Sequence, residues 1–221
     1  MRIIVFGASG GVGSQAVRFL LEAGHGVTAF RRRTPEGQQP AAGLSIATGD
    51  VMVAADVQRA VPGHDAVIVA LGITENAFRI RALGPRHTPL DVRSTGTRNV
   101  VCAMQESGVR RLVVVTSFGI GETRSSLTLA EKIGYEVLLA PQLRDMELQE
   151  RAVTGSELDW VIVQPVHLSN KPGDDMPATS TTGGVAGRII PRAGIGRLCA
   201  HLATTEGFRR QIVLASKKAP P

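Results

Sequence analysis

Ile3-Ile4-Val5-Phe6-Gly7-Ala8-Ser9-Gly10-Gly11-Val12-Gly13 settles the architecture of this chain. Its first four residues are an apolar run of the length of a strand buried on both faces. Glycines then recur at every third position, at Gly7, Gly10 and Gly13. Ser14 to Ala23 comes next, with Ala16, Val17, Phe19, Leu20 and Ala23 at helical spacing. Strand, glycine turn and helix in that order make a dinucleotide site. Gly7 suits the tight turn, Gly10 admits the backbone to a pyrophosphate, and Gly13 lets helix and strand pack closely. The loop from Gly7 through Ser9, Gly10, Gly11 and Val12 to Gly13 is therefore read as the cofactor cradle, with free N–H groups of the helix start facing the phosphates. The pattern is Gly-x-x-Gly-x-x-Gly, not the Gly-x-Gly-x-x-Gly of simple dehydrogenases.

The second strand narrows the cofactor. Gly24-His25-Gly26 ends the helix, and Val27-Thr28-Ala29-Phe30 reads as a strand. An NAD site places a carboxylate after this strand to bind the ribose 2′-OH. Here Arg31-Arg32-Arg33 stands in its place, and the next carboxylate is Glu36. Guanidinium groups bind phosphate as a fork, which matches the extra phosphate of NADP(H).

The rest of the chain alternates apolar strands with amphipathic helices. Strands are expected at 44–47, 66–71, 111–116, 160–164 and 211–214, and helices at 54–61, 89–107, 143–154 and 195–203. This alternation implies a Rossmann-type α/β fold: a doubly wound parallel sheet in three α/β/α layers, forming a single domain over residues 1–221. Ligands of such sheets bind at the carboxyl ends of the strands. Those ends carry the glycine loop, Arg31 to Arg33, Asp50-Val51, Ala70-Leu71-Gly72, Thr116-Ser117 and Pro165-Val166-His167. Asp50 can accept from an adenine amino group while Val51 N–H donates to the ring, or Asp50 can cap the following helix.

Composition sets limits. The 221 residues suffice for one sizeable α/β domain. No stretch is long and apolar enough to span a bilayer, and the early glycines break any signal-peptide pattern. Cys102 and Cys199 fall in expected helices and read as small core residues, with a cytoplasmic location expected. They show no metal-ligand spacing, so no metal is expected. The formal charge is +6, but aromatics make up only 4% of the chain and do not interleave with basic residues. That argues against a nucleic-acid stacking surface.

Taken together, these segments resemble a known family. The glycine pattern, Gly49-Asp50-Val51, Asp65-Ala66-Val67-Ile68-Val69-Ala70-Leu71-Gly72 and Gly96-Thr97-Arg98-Asn99-Val100-Val101 are similar to the atypical short-chain dehydrogenase/reductases. So are Gly108-Val109 leading into Val113-Val114-Val115-Thr116-Ser117, and Trp160-Val161-Ile162-Val163-Gln164-Pro165. The nearest likeness is to the NAD(P)H-binding branch with flavin reductase/biliverdin-IXβ reductase and the NmrA-like proteins. The resemblance implies NADPH held by Gly7 to Gly13, by Arg32 at the 2′-phosphate and by Asp50-Val51 at the adenine. It implies that Leu71-Gly72, Thr116-Ser117 and Pro165 to His167 line the ribose and nicotinamide, with Ser117 and His167 as the catalytic candidates. There are two departures. The Tyr-x-x-x-Lys pair is missing, because the one tyrosine is Tyr135 and Leu139 stands four residues on. Gly194 also occupies a position where many members have Asp.

Without that tyrosine, reduction of an isolated ketone lacks its proton donor. Flavins, quinones and linear tetrapyrroles need less help, since their reduced anions are delocalised. The expected function is NADPH-dependent hydride transfer to such a conjugated acceptor. The alternative is an NmrA-like redox sensor without turnover. Segments 118–140 and 169–186 are expected to form a substrate lid. The apolar residues Leu127, Leu129, Ile133, Tyr135, Leu138 and Leu139 in the first would make a wall for a flat acceptor or a contact in a homodimer, a monomer being the other expectation. His87, in an arginine-rich loop, is a candidate for approaching an anionic substrate.

Overall fold

The computed structural model describes residues 1–33, 41–73, 75, 80, 83–182 and 186–217, without the side chains at 130, 131, 133 and 135–138. Strand β1 is Arg2–Phe6 and is followed by helix α1, Gly11–Glu22. Then come β2 (Gly26–Arg31), β3 (Leu44–Thr48), α2 (Ala54–Ala60) and β4 (Ala66–Val69). Helix α3 (Val92–Ser107) leads to β5 (Arg111–Val115), a 3-10 turn at Gly121–Ser126 and α4 (Leu129–Thr154). The remaining elements are β6 (Asp159–Pro165), β7 (His167–Ser169), β8 (Ala178–Ser180), β9 (Ile189–Pro191), α5 (Arg192–Thr204) and β10 (Gln211–Ser216).

The main sheet has the order β3-β2-β1-β4-β5-β6-β10-β8. All pairs are parallel except the edge strand β8, which runs antiparallel to β10. Alternate residues of each strand supply two cores, as the period-two geometry of a strand requires. Ile3, Val5, Ile68, Val113 and Val161 meet α1 and α5 through Ala16, Leu20, Ile195 and Leu202. Ile4, Phe6, Val67, Leu112 and Ile162 meet the opposite layer through Val57, Val100, Met104 and Val153. This is the three-layer architecture expected from the alternating sequence.

Strand order reverses at β1, whose neighbours are β2 and β4, and a crevice opens there at the carboxyl ends. Gly7 sits at this point with φ +80°. A side chain there would run into the Ala70 carbonyl at the end of β4, whose carbon would be 2.7 Å from its Cβ.

Three expectations need correction. Helix α4 begins at Leu129 and runs unbroken through Pro141 to Thr154, so the helix expected at 143–154 starts fourteen residues earlier, inside the segment 118–140. Proline costs one intrahelical hydrogen bond, but Ala130-Glu131-Lys132, Glu136 and Leu138-Leu139-Ala140 are strong helix formers. The C-terminal half is anchored by buried Leu143, Met146, Gln149, Glu150 and Val153. Leu127 belongs to the main core and Leu129 is exposed; the side chains of Ile133, Tyr135 and Leu138 lie outside the described residues. The second segment is not all loop, because β7 pairs with β9 and β8 extends the main sheet; residues 183–185 are outside the description. Finally, Cys199 is buried, its thiol pushed up to about 12 by desolvation, but Cys102 is exposed on α3. Among the described residues no helix is long and apolar enough to cross a membrane.

Candidate active site

The phosphate cradle is built by backbone. Gly10 N–H donates to Gly7 O at 2.9 Å and closes the turn. Gly10 is the N-cap of α1 and offers no side-chain cap, so the first N–H groups of the helix remain for a ligand. Helix α1 therefore starts earlier than expected, and Gly11 and Gly13 lie in its first turn. Gly13 is buried beneath the turn, where a Cβ would overlap the Gly7 carbonyl. Gly11 is exposed with Arg192 alongside, whose Cδ would be 2.5 Å from a Cβ there.

On one side of this cradle is a cavity of about 270 Å³. Gly7, Ser9 and Gly10 line it, with Arg31 and Arg32 after β2, Asp50 and Val51 after β3, and Ala70, Leu71 and Gly72 after β4. Phe30, Met52, Thr88, Pro89 and Val92, which sequence reasoning does not single out, complete the wall. Phe30 packs on Phe6 with ring centres 4.7 Å apart. The Asp50–Met52 turn is held from three directions. Asp50 N–H donates to Asp56 Oδ2 at 2.8 Å, Met52 N–H donates to Asp50 Oδ1 at 2.9 Å, and Asn99 Nδ2 donates to Val51 O at 2.9 Å. The Asp50 backbone N–H, with Arg59 beside it, holds the Asp56 carboxyl below its usual value. Asp50 is thus not the cap of α2, whose N-cap is Val53.

The three arginines separate. Arg31 is half-buried and its Nε is shielded, with no hydrogen-bond partner among the described residues. Arg32 is exposed and donates from Nη1 to His87 O at 3.1 Å. Arg33, exposed, does not line the cavity.

Across Gly10 and Ala70-Leu71-Gly72, which line both spaces, lies a larger cavity of about 670 Å³. Gly11, Val12, Thr116, Ser117, Pro165, Val166 and His167 all border it, as the strand-end reading requires. Ser117 is half-buried and His167 exposed. His87, which gives its carbonyl to Arg32, does not line this cavity. Sequence reasoning misses Arg93, Met146 and Arg192 in the same wall. Met146 gives no signal along the chain, since it reaches the cavity from a helix expected to serve as plain covering. Gly194 is explained by packing, because a Cβ there would come 2.7 Å from Asp175 O.

Behind Thr116 is a buried polar cluster. Glu150 Oε1 accepts from Thr116 Oγ1 at 2.7 Å and from Gln164 Nε2 at 2.8 Å, and Thr123 Oγ1 donates to Gln164 Oε1 at 2.8 Å. Burial pushes the Glu150 carboxyl above its ordinary value of 4.5, while the two hydrogen bonds oppose the shift. The folded state therefore keeps this proton to higher pH than the unfolded chain does. Stability is expected to fall as pH rises from the ordinary carboxyl range through the raised value, then level off. Glu150→Gln keeps an acceptor and removes that slope, so its stability relative to wild type should improve over the same window in urea melts. Glu150→Leu takes the acceptor from Thr116 Oγ1 and leaves Gln164 Nε2 only its long bond to Ile120 O at 3.4 Å, and should cost about 2–3 kcal/mol.

The chain belongs to the NAD(P)H-binding family, whose pattern matches residues 7–206. Solved structures share the whole architecture. The oxidoreductase ylbE from Lactococcus lactis superposes with a TM-score of 0.81 at 15% identity, over 100% of this chain and 92% of that one. ChuY from Escherichia coli O157:H7, described as an anaerobillin reductase, gives 0.79 at 22% identity over 98% and 97%. A short-chain dehydrogenase/reductase from Veillonella parvula, solved in complex with NADP, gives 0.77 at 16% identity over 97% and 94%. At these identities the likeness is one of fold. The protein is accordingly an NAD(P)H-binding family member with the Rossmann architecture.

Proposed function

We propose that the protein is an NADPH-dependent reductase that passes hydride to a conjugated acceptor such as a flavin, a quinone or a linear tetrapyrrole. The observation that carries this reading is the adjacency of two cavities that share Gly10 and Ala70-Leu71-Gly72 in their walls, one bordered by Arg31 and Arg32, the other by Ser117 and His167. The first suits the adenosine half of the cofactor and the second suits the nicotinamide with an acceptor beside it. The unpartnered Arg31 Nε fits a ligand phosphate at that end. The NADP complex of the Veillonella neighbour and the reductase description of ChuY agree with this reading.

The cofactor, when bound, supplies the hydride. The N–H groups at the start of α1 hold its diphosphate, and Arg31 and Arg32 its 2′-phosphate. The Asp50–Met52 turn receives the adenine. Ser117 Oγ orients the carboxamide or the acceptor, and His167 donates a hydrogen bond or passes a proton to the reduced acceptor. Ile73, Val115, Met146, Val166 and Leu168 give the same cavity an apolar wall for a flat ring. No strong acid is required, because the charge left on a conjugated acceptor is spread over the ring.

The test is oxidation of NADPH, followed by its near-ultraviolet absorbance, with FMN as acceptor and NADH in parallel. Turnover that prefers NADPH supports the reading. Tight NADPH binding without turnover on FMN, quinones or biliverdin overturns it in favour of a sensor. Ser117→Ala and His167→Ala should lower kcat, whereas a raised KM alone would make both positioning groups. Arg31→Ala with Arg32→Ala should raise KM for NADPH by about 10- to 100-fold, the worth of one or two charged hydrogen bonds, and leave KM for NADH nearly unchanged.

A further inference from the structure

Arg93 is the second residue of α3, is only 8% exposed, and borders the cavity that holds Ser117 and His167. Asp145 of α4 takes the backbone N–H groups of Arg93 and Ser94 on its two oxygens, at 3.1 and 2.9 Å. The same carboxylate approaches Arg93 Nη1 only to 3.8 Å, which is an ion pair but too long for a hydrogen bond. Nη1 is shielded from water and has no hydrogen-bond partner among the described residues. Nη2 would be 3.7 Å from a Cβ at Gly72. That puts the guanidinium just past the end of β4, beside a residue that lines both cavities. Burial pulls its pKa down and Asp145 opposes the shift; an arginine side chain stays charged in either case.

A buried charged donor without an acceptor is a rare feature, and a ligand that supplies the acceptor relieves it. The other charges in this wall have partners of their own. Glu75 accepts the backbone N–H groups of Arg86, His87 and Thr88 at 2.8, 3.0 and 3.3 Å. Arg192 donates from Nη1 to Asn170 Oδ1 at 2.6 Å. The cofactor phosphates have their own donors, at α1 and at Arg31 and Arg32. We propose that Arg93 receives an anionic side arm of the acceptor, a carboxylate or a phosphate, and so selects anionic conjugated acceptors over neutral ones of the same ring. This rests on the reading of the larger cavity as the acceptor site.

The test uses matched pairs of acceptors. FMN and riboflavin share a ring and differ by a phosphate; biliverdin and its dimethyl ester differ by free carboxylates. Wild type is expected to favour the anionic partner of at least one pair by about tenfold or more in kcat/KM, the worth of a charged hydrogen bond. Arg93→Met should bring that ratio close to one, and Arg93→Lys should retain part of it. The pair that responds identifies phosphate or carboxylate. An unchanged ratio in Arg93→Met overturns the assignment. So does a preserved ratio with a raised Kd for NADPH, which would give the guanidinium to the cofactor. The same ratio is read without turnover from quenching of flavin fluorescence by the protein saturated with NADP+. If no acceptor is reduced, the reductase reading fails, while the FMN-to-riboflavin Kd ratio in wild type and Arg93→Met still decides the role of Arg93.

Discussion

Gly13→Ala is expected to weaken NADPH binding by about 100-fold or more, the equivalent of two charged hydrogen bonds. The added Cβ would overlap the Gly7 carbonyl oxygen, with its carbon at 2.8 Å and Ala8 Cα at 3.2 Å. All three are backbone atoms, so no rotamer change relieves the clash. Helix α1 has to withdraw from the turn after β1. Its first N–H groups, the proposed phosphate donors, move with it. Overpacking of this kind should also cost about 3 kcal/mol of stability. Gly24→Ala is the control: that residue has a positive φ, of 78°, but a Cβ there meets nothing within 4 Å. It should cost about 1 kcal/mol of local strain and leave the affinity for NADPH unchanged. Fluorescence titration and urea unfolding measure both quantities. Gly13→Ala binding NADPH within threefold of wild type would remove the phosphate from the start of α1.

Asp145→Ala should be the most damaging single change outside the cradle, at about 3–5 kcal/mol. Helix α3 has no side-chain cap of its own at Asp91. The cap comes instead from Asp145, which is 4% exposed and lies more than fifty positions along the chain on α4. Its removal orphans two backbone donors and leaves the buried Arg93 cation without its counter-charge. A loss of this size in a chain of 221 residues corresponds to a fall in Tm of roughly 10 °C. Asp145→Asn keeps one oxygen as acceptor and should lose about half as much. An unfolding free energy in urea within 1 kcal/mol of wild type for Asp145→Ala would mean that water or another side chain takes over the cap.

Much of the site is legible along the chain because it is made of strand ends. In a parallel sheet every strand delivers its carboxyl end to the same edge. The residues just past each apolar run are therefore neighbours in space. That logic places Gly10, Asp50, Leu71, Thr116 and His167 around two adjacent cavities. It fails where a residue reaches the edge from a helix. Arg93 and Met146 occupy positions in α3 and α4 that local pattern assigns to covering layers, and Asp145 resembles any acidic residue in a helix. It fails again at Pro141, where local chemistry forecasts a break and packing against the sheet and α3 carries the helix through. Arg33 shows a third limit, since three adjacent arginines are equivalent as text while the backbone sends only Arg31 and Arg32 to the cavity wall.

Glycine spacing and strand periodicity are local facts, and they are enough for the Rossmann architecture; the basic turn after β2 is equally local and carries the proposal of NADPH as cofactor. Each depends on interactions between residues near one another in the chain. The pairing of Asp145 with the start of α3, the shielding of Arg93 and the Thr116–Glu150–Gln164 cluster depend on distant segments being brought together. Burial turns an ordinary arginine into an unpartnered donor and an ordinary glutamate into a weak acid, and burial exists only once the layers have closed around them.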